Sequence, residues 1–415
     1  MPSEDTGPAS RAEPPRAALQ SLTRSDLIER GRLLGEATWN LGISRWFWPE
    51  GVALLGLADF ALAAGSDHGD HGDSSEGTHG SDHGDSTGGG LARVRAWADA
   101  MLASDRPVGH VNDLAPAAAA LTAGIDAVRL ARFVEWARCA PRSASGAIEH
   151  WKDGLWADTM YMVGVLFARL AAATGDAGLL DEAIQQYLLH AQVLQDDRSG
   201  LFAHGSHRGE TLWNFWGRAN AWAALTAVEI LRAGNAGNAA SDPTASHATA
   251  AATTAAAAAE AVGHATSTHL TEVHQRLETQ LNSLAACQPA QGVWDVLVDG
   301  RPETTGIVET SAAAGIAAAM IRFAVPHDDP AQTPLGSAGH LALRGALAYM
   351  GDDGCLGGVS DGTILQLLPF GYAVIRSDRP QLWGQGLALA AIAAALEAPA
   401  PPALEAHDAA RGPQE

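Results

Sequence analysis

Two kinds of apolar pattern alternate along the chain. In the first, polar residues keep to one stripe at helical spacing, over residues 24–39, 91–103, 126–138, 178–195, 267–285 and 337–350. Within 178–195, Leu180, Ile184, Tyr187, Ala191 and Leu194 share a face while Gln185 and Gln186 point away, as in a helix with one side in a core. The second kind is apolar almost all round, over 50–63, 113–123, 155–170, 217–231, 309–323 and 383–397. Such segments predict helices buried on every side. The two kinds alternate strictly, outer then inner, six times. The pattern therefore predicts an all-α fold, an (α/α)6 barrel with six inner helices enclosed by six outer ones. Alternation makes the inner helices run the same way, so their N-termini share one mouth. Short β-prone pieces occur only near 293–298 and 363–375.

Four stretches break the pattern. Residues 1–20 and 399–415 read as polar tails, leaving 21–398 as a single catalytic domain with low-complexity insertions at 65–90 and 234–266. The first insertion interleaves His68, His71, His79 and His83 with Asp. Its Gly/Ser density leaves nothing to preorganise ligands, so a solvated loop is expected and no metal site is assigned. The second is Ala/Thr-rich and reads as a long loop with some helix.

Composition narrows the function. The 415 residues carry a net charge of −21, which argues against nucleic acid or an anionic membrane as a partner. No apolar run approaches the ~20 residues of a membrane span. The start of the chain has no apolar signal segment. Cys139, Cys287 and Cys355 lack metal-ligand or disulfide-framework spacing. A cytoplasmic protein is expected. Twelve Trp stand against four Tyr, and Lys152 is the sole lysine beside 25 arginines.

Polar and aromatic residues interrupt the apolar runs where the inner helices begin. Trp46, Trp48 and Glu50 precede the first, Asn112 and Asp113 open the second, and His150, Lys152, Trp156 and Asp158 open the third. His204, His207, Trp213, Trp216, Arg218 and Asn220 lead into the fourth, with Trp222 just inside it. Glu309, Thr310 and Ser311 open the fifth, and Trp383 and Gln385 the sixth. All would ring one mouth, and a Trp-lined cleft with a few charges suits sugar rings. Each Trp taken singly also fits a core position, and His204 and His207 also fit an ordinary loop. Arg218 is unfavourable at a helix N-terminus, so an anion there would explain it. Asp158 is the only carboxyl between Leu155 and Leu166. It fits a plain helix cap and equally a proton donor.

Several runs resemble the unsaturated rhamnogalacturonyl hydrolases of glycoside hydrolase family 105, which are related to the unsaturated glucuronyl hydrolases of family 88. They are RWFWPEGVALLGLADF (45–60), HWKDGLWADTMYMVGVLFARL (150–170), the stretch from TGD to FAHG (174–205), WGRANAW (216–222), ETSAAAGIAAAMIRFA (309–324) and DGCLGGVSDGT (353–363). The resemblance implies an (α/α)6 barrel, no cofactor, and a substrate bearing a 4,5-unsaturated uronic acid at its non-reducing end. It also implies hydration of that vinyl ether in place of attack at the anomeric carbon. Asp158 matches the family's proton donor, and His204 a histidine near the substrate carboxylate. Arg218, His150 and Lys152 match or neighbour polar contacts, and Trp46, Trp216 and Trp222 match pocket walls. One departure stands out: Asn112 falls where the family often has a second aspartate, with Asp113 one step along, about 100° around a helix. Two other readings suit the same mouth, a sugar epimerase using His150 and His204 as acid and base, and a non-catalytic oligosaccharide-binding barrel.

Overall fold

The computed structural model describes residues 22–65, 86–240, 253–325 and 330–398. The two tails, most of the first insertion with its four histidines, and residues 241–252 lie outside the described residues. Thirteen α-helices are described: α1 (Arg24–Asn40), α2 (Trp48–Gly65), α3 (Ser86–Leu102), α4 (Ala115–Thr122), α5 (Ala127–Cys139), α6 (Ala157–Thr174), α7 (Ala177–Leu194), α8 (Gly217–Ala240), α9 (Thr253–Ala286), α10 (Thr310–Ala324), α11 (Pro334–Leu347), the short α12 (Phe370–Ala373) and α13 (Leu382–Glu397). Three short strands, β1 (Gly154–Trp156), β2 (Gly205–His207) and β3 (Glu210–Leu212), form an antiparallel sheet in that order.

The starts of these helices follow ordinary capping chemistry. Thr23 and Asp26 form a reciprocal capping box on α1. Asp126, Asp176 and Thr333 accept backbone N–H groups at the heads of α5, α7 and α11. The half-polar segments become the helices that flank the apolar ones. Helices α2, α4, α6, α8, α10 and α13 each pack on the next, and α13 packs back on α2. Outside them, α3 bridges α2 and α4, α5 bridges α4 and α6, and α7 bridges α6 and α8. The tightest seam is α2 on α13: a Cβ on Gly56 would fall on the Gly386 carbonyl oxygen, so the two backbones touch only because both positions are glycine.

Three expectations need amendment. Gln186 is buried, donating to the Gly146 carbonyl and accepting from the Ile148 N–H; it ties a loop to α7 where solvent was expected. Both ends of the 234–266 segment continue helices, α8 running to Ala240 and α9 starting at Thr253. The β-prone pieces do not become strands: 293–298 makes isolated bridges through Asp295 and Leu297, and 363–375 contains α12.

At the ring's interior a small cavity is lined by Val52, Gly56 and Asp59 of α2, Tyr161, Val165 and Arg169 of α6, Leu225 and Glu229 of α8, Arg322 of α10, and Gly386 and Ala390 of α13. These positions mark the axial face of each helix. At the end away from the helix N-termini this face is ionic. Arg169 holds Asp59 through both terminal nitrogens (2.7 and 2.9 Å), Glu229 at 2.9 and 3.1 Å, and the Thr122 hydroxyl at 2.8 Å. Arg322 reaches Asp59, Glu229 and Glu397 at 3.3–3.5 Å. The network takes a residue from each of α2, α4, α6, α8, α10 and α13.

Candidate active site

Stepping back along each axial stripe leads to the opposite end. On α6, Arg169, Val165 and Tyr161 give way three residues earlier to Asp158. On α8, Glu229, Leu225 and Trp222 lead to Arg218. Spacings of three and four keep one helical face, so Asp158 and Arg218 look into the ring from its N-terminal mouth.

The three-stranded sheet delivers the next residues. Trp156 ends β1 and is the N-cap of α6. It lies opposite Gly205 of β2, and the Ala157 N–H donates to the His204 carbonyl at 3.0 Å. A Cβ on Gly205 would meet the Leu155 carbonyl, so glycine permits the close pairing that carries His204 to the head of α6. There His204 Nε2 stands 3.4 Å from Asp158 Oδ2. Neither atom is aligned with a hydrogen-bond partner, and both are sealed from water. The other nitrogen, Nδ1, bonds the Tyr372 hydroxyl at 2.7 Å.

Rings run on from this pair. His204 packs on Trp216 (centroids 4.2 Å apart) and edge-on to Trp156. His150 lies flat on Trp156 at 4.5 Å and shares a 3.0 Å bond with the Thr159 hydroxyl. His110 meets His150 edge-on and lies against the exposed Trp151. Burial, the largest effect on each histidine, pushes all three imidazoles below their ordinary range, His150 to about 3. They are neutral at physiological pH. Burial works to raise the Asp158 carboxyl, but the contact with His204, with His150 and Arg218 around it, outweighs burial and holds the group below its ordinary value.

Arg218 is fixed in place. Its guanidinium sits between Trp216 (4.3 Å) and Trp383 (5.3 Å). It donates to the Ser360 and Asp361 carbonyls, the Ser311 and Ser360 hydroxyls, and Glu309 at 3.4 Å. Glu309 in turn caps α10 through the Ser311 N–H and accepts from the Ser360 hydroxyl. Arg218 Nε is left buried and unbonded, as are the indole nitrogens of Trp216 and Trp222.

The structure thus gathers Asp158, His150, His204, Trp216 and Arg218 into one cluster. Trp48 joins at its edge, packed on Trp383 at 4.7 Å. Trp222 lies one turn deeper, buried against Tyr161. The other candidates sit elsewhere. Trp46 stacks between Trp97 and Phe133 and donates to the Asp113 carbonyl, which is a core role. Lys152 is exposed on the turn before β1. Asp113 accepts the Gly109 and His110 N–H groups, closing the 3-10 turn Val111–Asp113 that precedes α4. Asn112 is buried on that turn, which packs against α6. Sequence reasoning assigned no role to His110, Tyr372, Ser360 or Asp361. His110 carries a signal, being a ring three residues before an Asp. Tyr372 and the 360–361 carbonyls carry none, because chain turns and not periodicity bring them in.

Over 372 residues the chain is 25% identical to unsaturated rhamnogalacturonyl hydrolase YesR of Bacillus subtilis (strain 168), covering 85% of this chain and 90% of that protein. Its fold is similar to that of a possible member of the GH105 family from Salmonella enterica, with a TM-score of 0.69, 21% identity, and 91% and 95% of the two chains covered. It is also similar to the unsaturated glucuronyl hydrolase of Bacillus sp. GL1, with a TM-score of 0.57, 14% identity, and 89% and 96% covered. Residues 130–398 match the family description Glycosyl Hydrolase Family 88, and the chain belongs to that family.

Proposed function

We propose that this glycoside hydrolase removes a 4,5-unsaturated uronic acid from the non-reducing end of short oligosaccharides left by polysaccharide lyases, in the manner of an unsaturated rhamnogalacturonyl hydrolase. The closed ring of α2, α4, α6, α8, α10 and α13 with its outer helices is read as an (α/α)6 barrel, and the N-terminal mouth as its cleft. The carrying observation is Asp158: a carboxylate on the axial face, beside His204 and His150, under the field of a locked Arg218. The name of the Bacillus subtilis relative supports the substrate class.

In this reading Asp158 gives its proton to C4 of the vinyl ether, and the double-bond electrons form the new C–H bond. The cation at C5 is shared with the ring oxygen. Water adds at C5 and returns a proton to Asp158. The hemiketal opens and expels the remaining sugar. The substrate carboxylate, set near Arg218 and His204, shares the cationic field that keeps Asp158 ionised in the free protein. Water is excluded at the same time, and both effects lift the Asp158 pKa toward a donor's. The half-buried Trp48 offers a stacking face, with the buried Trp216 and Trp383 backing Arg218; His150 and Asn112 offer polar contacts, and Lys152 and Asp113 outer positions. We place the protein in the cytoplasm: its three cysteines are free thiols, which fits a reducing compartment, and among the described residues no helix is long and apolar enough to cross a membrane.

The test is loss of the unsaturated uronate's ultraviolet absorbance on adding protein to a panel of lyase-generated disaccharides. The wild type should bleach at least one, and Asp158→Asn should bleach none while keeping the wild-type circular dichroism. Full activity in D158N removes Asp158 as donor. Sugar products that keep the double bond would point to the epimerase.

A further inference from the structure

We propose that Tyr372 is a positioning residue: by donating to His204 Nδ1 it fixes the tautomer of His204, and so places the acid proton of Asp158 on Oδ1, the oxygen that can reach the cleft. The inference rests on Asp158 being the proton donor.

The direction of each hydrogen bond follows from what surrounds it. The phenol of Tyr372 is buried, and burial raises its pKa far enough that it keeps its proton. Among the described residues the phenol makes one hydrogen bond, to His204, and the nearby Gln366 carbonyl is already held by Asn214 at 2.8 Å. The Asp158 carboxylate facing Nε2 calls for a hydrogen on that nitrogen, so Nδ1 is left to accept, and the phenol hydrogen is directed at it over 2.7 Å. A neutral imidazole accepting at Nδ1 must carry its hydrogen on Nε2. Nε2 is the atom facing Asp158 Oδ2 at 3.4 Å.

Asp158 then has two unlike oxygens. Oδ2 is sealed from water, without an aligned hydrogen bond, and faces Nε2 at 3.4 Å, so an N–H there favours Oδ2 as the negative, unprotonated oxygen. The 16% of the side chain that stays accessible lies away from Oδ2, and a proton taken up by the carboxylate goes to Oδ1. With the opposite tautomer, Nε2 would present a lone pair and draw the proton onto Oδ2, away from any substrate. Tyr372 thus acts on the reaction through His204, without touching substrate.

Tyr372→Phe keeps the ring and removes only the hydroxyl. We expect kcat to fall about 10- to 100-fold, a part of what a placed general acid contributes, with KM changed less than threefold and the acid limb of the kcat profile displaced. Side-chain nitrogen NMR of histidine-labelled protein, with His204 assigned by its loss in His204→Gln, should show Nε2 protonated in the wild type and a mixture of tautomers in Y372F. A glutamine at 204 can donate to Asp158 without needing a hydroxyl behind it, so Y372F should cost nothing more in the H204Q background. An unchanged tautomer in Y372F overturns the proposal, as does an unchanged kcat or an undiminished Y372F effect on top of H204Q. A wild-type protein that bleaches no unsaturated disaccharide would instead remove the functional reading, and the nitrogen spectrum would still decide the tautomer.

Discussion

At the scale of single residues, Asp158 has opposing demands on it. The free protein holds it ionised, and the proposed donation to C4 needs it protonated. Because its folded pKa lies below the ordinary carboxylate value, the protonated fraction of free protein grows about tenfold for each unit by which pH falls through the mildly acidic range. We therefore expect kcat/KM to climb as pH drops through the mildly acidic range, while kcat, which reports the bound state, levels off at a higher pH. Initial rates over a pH series check both limbs; a kcat/KM that rises with pH across this range would contradict the donor role. Asp158 was legible from sequence because a lone carboxyl in an apolar helix is an exception to the pattern. Arg218 was legible for the same reason, but as an open clamp for an anion. The structure shows it already committed to Glu309 and to the carbonyls of Ser360 and Asp361, with Nε left over. Trp46 misled for the converse reason: sequence records an indole beside a charged residue, and cannot record that Trp97 and Phe133 close over it.

At the scale of elements, periodicity located twelve helices because each has one or more faces that must be apolar, and 15 or so residues are enough to display the period. Three-residue strands have no period to display. The sheet of β1, β2 and β3 consequently escaped notice, although it is what carries His204 to Asp158. The same holds for α12, which holds Tyr372. Close packing between helices is equally hidden, since a glycine in an Ala-rich segment looks like any small residue. Gly56→Ala would drive a methyl into the Gly386 carbonyl and force α2 and α13 apart. We expect a loss of roughly 1–3 kcal/mol, typical of overpacking, read as a lower midpoint in urea with unchanged slope. Gly42→Ala meets nothing within 4 Å but sits at φ 87°; it separates backbone strain from collision.

At the scale of the molecule, two buried electrostatic systems respond differently to acid. The Asp59 carboxyl is held down to about 2, burial opposing and Arg169 with Arg322 prevailing. Its contribution is present above 3.8 and is lost only as pH falls toward 2. The neutral histidines act sooner. An unfolded chain takes up protons on them from about 6.5 downward, and the folded chain resists until much lower, His150 until about 3. Stability should fall through that window, by roughly 5 kcal/mol for His150 if the whole interval is crossed, with His110, His190 and His204 displaced in the same direction. Thermal melts between pH 7 and pH 4 should show the decline beginning near 6.5, well above the carboxylate range. Removing one partner of the ionic network is a separate test: Arg169→Met leaves Asp59 and Glu229 short of a cation and should cost about 3–5 kcal/mol.

The same network has a consequence for how a polymer can meet this protein. Six helices contribute to it, and above it Tyr161, Val165, Trp222 and Leu225 fill the interior. A tunnel open at both ends could let a polysaccharide slide through and be cut anywhere along its length. A shaft with a sealed floor offers no such passage: a sugar enters by its tip, stops, and leaves the way it came. On this geometry, and on the proposed chemistry, the enzyme removes only the unsaturated terminal unit. It spares internal linkages however long the chain, and each departing product must clear the entrance before the next terminus can arrive.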